Sequence, residues 1–282
     1  MPECIVCNNK ESFKKKLDIL TQCNICNHIF ADLELNYNDL KKIYSKDYFF
    51  GDEYIDYIED RRQIEKNAKI RLNSMKKILL DTSNLNLLEI GCAYGFFLNT
   101  VKEKFNEVFG IDIHSQGIEY AKTNLKLKTK CVDFLNLKKD FIKKFNVFCM
   151  FDVIEHLVNP KKFINQIGDY AEKNSYIFIT TGDISSLNAR FKGKNWRLIH
   201  PPSHIHYFSK KTIKLLLENN GFELVSIQYC GYYRNLNFIL NKINLFRKYF
   251  GFILKILSKL NLLKLDIYLN FHDIMFIVAI KK

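Results

Sequence analysis

Residues 87–97 read Leu-Leu-Glu-Ile-Gly-Cys-Ala-Tyr-Gly-Phe-Phe, and this stretch constrains the fold more than any other. An apolar run passes through an acid into a loop of small residues, Gly91-Cys92-Ala93-Tyr94-Gly95. Helical apolar spacing then follows at Phe97, Leu98, Val101 and Phe105. The pattern predicts a strand, a tight turn and a helix start. Small residues in such a turn let the backbone approach a ligand at the carboxyl edge of an open parallel sheet. The same turn also serves plain strand-to-helix packing, so by itself it names no ligand.

The spacing is E-x-G-x-A-x-G rather than G-x-G-x-x-G. Glu89 beneath the loop would repel a pyrophosphate, so a positively charged ligand without phosphate fits better. Val108–Ile113 reads as a second short strand, and its Asp112, 21 residues after Gly91, can accept hydrogen bonds from both hydroxyls of a ribose. Cys131-Val132-Asp133-Phe134 follows, and then the apolar run from Val147 that ends Phe151-Asp152-Val153-Ile154-Glu155-His156-Leu157. In order through residues 85–230, and again at 273–282, the chain resembles the class I S-adenosylmethionine-dependent methyltransferases. The D-V-I-E-H-L segment resembles members that act on small molecules and glycans.

The resemblance implies a role for each matched residue. Glu89 and the backbone of Gly91, Cys92, Ala93, Tyr94 and Gly95 would hold the methionine end of S-adenosyl-L-methionine. Asp112, with Ile113 beside it, would clamp the ribose, and Asp133 and Phe134 would meet the adenine. Phe151 and Asp152 would line the methyl-transfer pocket. Ala93 stands where many relatives carry glycine. Asp133 also reads as a turn or helix-cap acid, and that alternative stays open.

The fold class expected is α/β: a Rossmann-like, seven-stranded, mostly parallel sheet. Its last strand runs antiparallel, as the resemblance implies. Apolar strands alternate with helical segments, including 160–172 and 209–219, before Phe222–Tyr229 and Ile274–Lys281 close the sheet. Three regions are expected: a zinc-ribbon-like module over 1–34, aromatic and charged linker helices over 35–84 that cover the cofactor site, and the methyltransferase domain over 85–282. The linker carries Tyr44, Tyr48, Phe49, Phe50, Tyr54 and Tyr57, then Arg61, Arg62, Lys66, Lys69 and Arg71. Packing of these aromatics onto the core explains them as well as an acceptor wall does.

Cys4-x2-Cys7 and Cys23-x2-Cys26, fifteen residues apart, have the spacing of two knuckles that close a four-thiolate structural zinc site. Asn8 and Asn27 take the place of the usual glycine after each pair and tolerate the left-handed conformation. His28 reads as an exposed or packing residue, not a ligand. The remaining cysteines, Cys92, Cys131, Cys149 and Cys230, read as free thiols in a reducing cytoplasm.

Four histidines fall near the expected pocket: His156, His200, His204 and His206. The last three lie in Trp196–Ser209, which resembles the P-x-H-x-x-x-F-S stretch of glycan-pathway methyltransferases. Transfer to a hydroxyl needs a base with a pKa near neutrality, and histidine meets this unshifted. His204 is the first choice for the catalytic base and His156 the second, although His156 could instead bond backbone at a helix start. Sugar C-methyltransferases carry His-Glu-His where this chain has Pro202-Ser203-His204, which favours O-methylation.

The formal charge of +13 is concentrated late in the chain: residues 224–282 hold nine basic and two acidic groups, with no acid between Glu223 and Asp266. Residues 235–265 read as a basic amphipathic insertion, for which a lid, a dimer helix or peripheral membrane contact are all open. Arg190, Lys192, Lys194 and Arg197 could engage a phosphate on an acceptor, or form a solvated loop.

The expected function is O-methylation of a sugar or a phosphorylated or nucleotide-linked precursor of a surface polysaccharide, with an anionic small-molecule or glycan acceptor. The alternative is an RNA base methyltransferase. The charge-neutral first 84 residues, and Phe151-Asp152-Val153-Ile154 in place of an N-P-P-Y type sequence, make nucleic acid an unlikely partner. A degenerate adaptor would not need Glu89, Gly91, Gly95, Asp112 and Asp133 together. The chain is expected to act as a monomer or homodimer in the cytoplasm, with attachment to the inner face of the membrane as the variant reading.

Overall fold

A computed structural model describes residues 3–17, 19–33, 57–242 and 265–282. Seven strands form the main sheet: β4 (Asn86–Ile90), β5 (Glu107–Asp112), β6 (Thr129–Cys131), β7 (Val147–Phe151), β8 (Tyr176–Gly182), β10 (Phe222–Tyr229) and β13 (Ile274–Lys281). Their order is β10-β13-β8-β7-β4-β5-β6. The β4–β5, β4–β7, β5–β6 and β7–β8 pairs are parallel, and β13 runs antiparallel between β8 and β10. The antiparallel last strand is therefore as expected, one position in from the edge. β7 is buried along its whole length, which is why its sequence is a continuous apolar run instead of an alternating one.

The described α-helices are α1 (Arg61–Leu79), α2 (Phe96–Val101), α3 (Ser115–Thr123), α4 (Lys139–Ile142), α5 (Pro160–Tyr170), α6 (Leu187–Lys192), α7 (Lys210–Glu218) and α8 (Leu236–Lys242). Several of these starts are fixed by a side-chain cap. Asn159 caps α5 ahead of its first-position proline, Ser186 caps α6, and Ser209 with Thr212 forms a capping box on α7. Helix α1 has two working faces. Ala68, Leu72, Met75 and Leu79 are buried, while Ile64, Asn67, Arg71 and Ser74 line the central cavity.

The strand order reverses between β4 and β7, which opens a crevice at the carboxyl ends of these strands. Glu89, Asp112, Asp133 and Asp152 all fall at that edge because Glu89 is next to last in β4, Asp112 ends β5, and Asp133 and Asp152 closely follow β6 and β7. The spacing of acids in the sequence is a direct consequence of the βαβ repeat.

The N-terminal module is not a separate body. Its strands β1 (Phe13–Lys16), β2 (Leu20–Cys23) and β3 (Ile29–Phe30) continue into β9 (His206–Tyr207), pairing Ile29 with Tyr207 and Phe30 with His206. Leu20, Ile29 and Ala31 share an apolar cluster with Ala189, Trp196 and Tyr207. His28 is fully buried against His206 and Phe208, so it is a packing residue and not an exposed one. The remaining strands, β11 (Tyr232–Asn235) and β12 (Asp266–Leu269), form an antiparallel hairpin beside α1. Tyr44, Tyr48, Phe49, Phe50 and Tyr54 lie outside the described residues, as does most of the 235–265 insertion. No helix among the described residues is long and apolar enough to cross a membrane.

Candidate active site

A single cavity of about 1000 Å³ occupies the crevice. Its floor is the loop after β4. Gly91 has φ +77°, and a Cβ there would stand 2.5 Å from Val153 Cγ2, so the position admits only glycine without rearrangement. Ala93 also has a left-handed φ of 47°, the conformation that suits the glycine of many relatives better than alanine. Tyr94 and Gly95 do not line the cavity. Tyr94 turns into an aromatic cluster with Tyr57, Phe96 and Tyr120, and Gly95 caps α2. Both belong to the loop's architecture, which corrects their expected place against the cofactor.

Glu89 lies on the cavity wall with Oε2 buried and without a hydrogen-bond partner among the described residues. Burial pushes its carboxyl up to about 8, the neighbouring Asp112 adds to this, and Arg71 opposes it. An orphaned buried acid at this edge fits a cationic ammonium group. Asp112 accepts from the backbone N–H of Ala93 and of His114, each at 2.8 Å, which fixes both carboxylate oxygens at the mouth. Ile113, Asp133 and Phe134 also line the cavity. Asp133 accepts from Leu135 N at 2.9 Å, so it is a turn-capping acid that also borders the site.

Arg71 was not legible as a site residue in the sequence, where it belongs to a run of basic positions. It reaches from α1 to Asp152 at 2.5 Å and lies 4.7 Å from the centre of the Phe151 ring. Only its spacing from Ile64, Asn67 and Ser74 marks it, and that stripe becomes visible once α1 is docked. Asp152 has φ +58° and is held by Thr180, whose hydroxyl donates to Oδ1 at 2.8 Å. Such a backbone state in a non-glycine residue persists where surrounding contacts impose it.

Beyond Asp152 the cavity contains Glu155, His156 and His204, whose potential ligand atoms all lie within 4.8 Å of one another. His156 Nδ1 donates to Ser203 O and His204 Nδ1 to Leu198 O, each at 2.8 Å. A carbonyl can only accept, so these bonds fix the tautomer and make Nε2 the unprotonated nitrogen of each ring. Burial lowers His156 to about 4 and holds His204 well below its ordinary value. Burial, then Asp152, raises Glu155 to about 8, and its Oε2 has no hydrogen-bond partner among the described residues. Glu155 stands inside the D-V-I-E-H motif, yet the sequence reading passed over it for its neighbour. His206 faces the N-terminal module at 3.1 Å from His28, and His200 packs against His204 at a tilt, with ring centres 3.8 Å apart.

The far wall is apolar and aromatic: Tyr232, Phe238, Ile239, Leu269, Phe271 and Ile274. Lys192 and Arg197 stand at its rim, with Arg197 anchored on the buried Asp273 at 2.7 Å. Arg190 and Lys194 do not line the cavity.

The sulfurs of Cys4, Cys7, Cys23 and Cys26 also lie within 4.8 Å of one another, with Cys4–Cys26 at 3.4 Å and Cys7–Cys23 at 3.6 Å. A thiolate tetrahedron around zinc has edges of about 3.8 Å, so the donor set fits that ion. Asn8 and Asn27 have φ of 60° and 67°, the left-handed turns anticipated after each pair.

Among known proteins, a family model described as a methyltransferase domain matches residues 57–227. A ubiquinone biosynthesis O-methyltransferase of Pelagibacter ubique is 32% identical over 130 residues, covering 45% of this chain and 51% of its own. The mitochondrial protein of that name from Dictyostelium discoideum is 28% identical over 144 residues, covering 45% and 43%. The chain thus spans about half the length of these curated relatives. Among solved structures, the Synechocystis magnesium protoporphyrin IX methyltransferase with bound S-adenosylhomocysteine superposes with a TM-score of 0.57. It is 11% identical, covering 88% of this chain and all (100%) of that one. At such identity the likeness shows the fold. The relatives' names overturn the polysaccharide, capsule and glycan-acceptor expectation, which rested on motif segments that many small-molecule methyltransferases share. They also give the RNA reading no support. The matched span and the crevice geometry together establish that the chain belongs to the methyltransferase-domain family, with the class I S-adenosylmethionine-dependent fold.

Proposed function

We propose that this chain is an S-adenosylmethionine-dependent O-methyltransferase whose acceptor is a phenolic precursor in quinone biosynthesis. The observation that carries the reading is one continuous cavity. It joins the acidic Glu89–Asp112 edge to an apolar chamber containing Glu155, His156 and His204. A planar ring with an apolar substituent fits the side of that chamber formed by Tyr232, Phe238, Ile239, Leu269 and Phe271, while Asn188, Lys192, Arg197 and Arg234 supply polar groups for its substituents.

S-adenosylmethionine, when bound, supplies a methyl group on a sulfonium that is already a good leaving group. Glu89 would take the ammonium group, Arg71 the carboxylate, Asp112 the ribose hydroxyls, and Asp133 with Phe134 the adenine. A phenol loses its proton at about pH 10 in water, so it must be deprotonated as its oxygen attacks. Glu155, poised near 8, suits that task, with Nε2 of His204 and His156 beside it. The apolar walls exclude water and hold the oxygen in line for attack. Lys192 and Arg197 at the rim fit an acceptor that carries an anionic group.

Cys4, Cys7, Cys23 and Cys26 would bind a structural zinc ion, since four thiolates leave no open coordination position. Its effect would be to hold β3 against β9, and through β9 the segment that carries His204.

The direct test incubates the full chain with labelled S-adenosylmethionine and a short-tailed catechol. Label recovered as an aryl methyl ether supports the reading. S-adenosylhomocysteine binding without transfer to any phenol tested would sink it.

A further inference from the structure

Helix α6 presents three faces with different surroundings. Ala189 is buried in the cluster shared with Trp196 and the N-terminal module. Asn188 and Lys192, one turn apart, line the cavity. Leu187 and Phe191, also one turn apart, point away from both and are 84% and 92% exposed. Phe191 is the most exposed large apolar side chain among the described residues. A single exposed apolar residue needs no explanation, but two on one helical face beside a cavity mouth do. Across that mouth Phe271 lines the cavity and is itself 46% exposed. Asn188 ties α6 to this rim by donating to Asp273 at 2.7 Å.

Along the chain from α6 to the start of α7 the charge has one sign. No acid occurs in sequence between Asp183 and Glu218, while Arg190, Lys192, Lys194 and Arg197 are exposed. Among the described residues, Asp183, which precedes the helix, and Asp273, which Asn188 contacts, are 1% exposed and engaged inward. Asp183 accepts from Ser185 and Tyr229, and Asp273 from Asn188, Trp196 and Arg197. Arg190 and Lys192 make no ion pair among the described residues. Apolar prongs ringed by cations, with the acids withdrawn, are complementary to an anionic lipid surface.

We infer that α6 is a membrane-docking element that sets the cavity mouth against an anionic bilayer. Leu187 and Phe191 enter the headgroup boundary, and Arg190 and Lys192 meet the lipid phosphates. This surface is distinct from the 235–265 insertion. The docking itself does not depend on the identity of the acceptor. Delivery of an apolar acceptor from the bilayer would rest on the proposed function.

The test is sedimentation of the full chain with vesicles of phosphatidylglycerol mixed into phosphatidylcholine, and with phosphatidylcholine alone. S-adenosylhomocysteine binding is measured in parallel by calorimetry. The wild-type chain should bind the anionic vesicles and lose that binding as salt is raised. Leu187→Ser with Phe191→Ser should weaken binding about tenfold or more, and Arg190→Glu severalfold. Both variants should keep wild-type S-adenosylhomocysteine affinity. Wild-type affinity of the double variant for vesicles, or no binding of the unaltered chain, overturns the inference. A dimer that the double variant converts to a monomer, with neither form binding vesicles, also overturns it and makes the patch a contact between copies. Should the double variant lose S-adenosylhomocysteine binding, the Leu187→Ser and Arg190→Glu single variants decide by the same criterion. Absence of S-adenosylhomocysteine binding by the wild-type chain would count against the proposed function and leave the vesicle result standing.

Discussion

Glu89 and Glu155 are both buried acids with one oxygen unpartnered among the described residues, both raised to about 8, and they point to different experiments. Glu89 must be ionised to pair with an ammonium group. S-adenosylhomocysteine affinity is therefore expected to strengthen by up to about tenfold per pH unit as pH rises toward 8, and then to level off. Calorimetry across that range checks this, and Glu89→Gln should bind weakly with the slope removed. Glu155→Gln keeps shape but not basicity, so turnover should fall by about 100-fold or more with cofactor affinity held. His204→Ala should behave similarly if its Nε2 shares the proton, and unchanged turnover would remove it from the mechanism. Ala93 offers a prediction of the opposite sign. Its left-handed φ makes Ala93→Gly neutral to stabilising by up to about 1 kcal/mol in chemical denaturation, despite the usual entropic cost of glycine.

At the scale of elements, the pairing of β3 with β9 joins the cysteine module to the histidine segment. The cofactor edge on β4 and β5 belongs to the other, seven-stranded sheet. Chelation, or Cys4→Ser, should therefore lower the melting temperature and cut transfer at least tenfold while S-adenosylhomocysteine binding largely persists. Metal analysis of the purified chain should return one zinc per molecule in the wild type and none in the variant. Equal loss of cofactor binding would place the module's influence on the whole sheet instead. Helix α1 makes a second link. Its Arg71 spans to Asp152, so Arg71→Ala should raise the S-adenosylhomocysteine dissociation constant about tenfold or more, and Arg71→Lys should restore only part of it because a lysine cannot form the bidentate fork.

For the whole molecule, stability should depend on pH in two windows. Glu89 and Glu155 have folded values above their ordinary 4.5, so their contribution is full below about 4.5 and is lost as pH rises through about 8. His156 and His206 have folded values of about 4, below their ordinary 6.5, so theirs is full above 6.5 and is lost as pH falls through about 4. Of these four groups only the carboxyls act between about pH 6.5 and 8, and through them the melting temperature of the ligand-free, zinc-loaded protein should fall across that interval. S-adenosylhomocysteine, by pairing Glu89, should flatten the decline. The size of the apolar chamber gives another measurement. Each methylene added to the acceptor's tail should lower KM by up to about fourfold, the equivalent of about 0.8 kcal/mol, until the wall formed by Phe238, Ile239 and Leu269 is filled.

The sequence by itself determined the alternation of strand and helix, the glycine loop, the acid at the end of β5 and the paired cysteine knuckles. Each of these is written in local chemistry: apolar period, backbone permissiveness, ligand spacing. Tertiary structure alone decided which residues meet. Arg71 looked like one basic residue among several until α1 docked its second stripe on the crevice. Glu155 lay in plain view inside a motif, and only burial beside Asp152 gave it a base's pKa. His204 and His206 are two apart, the spacing of one face in an extended strand, yet one lines the cavity and the other packs on His28, because β9 is claimed by the N-terminal sheet. The exposed face of α6 likewise emerges only after Ala189 and Asn188 have found their partners. Local patterns fix what an element is, whereas long-range packing fixes what its side chains face, and the chemistry of this site depends on the second.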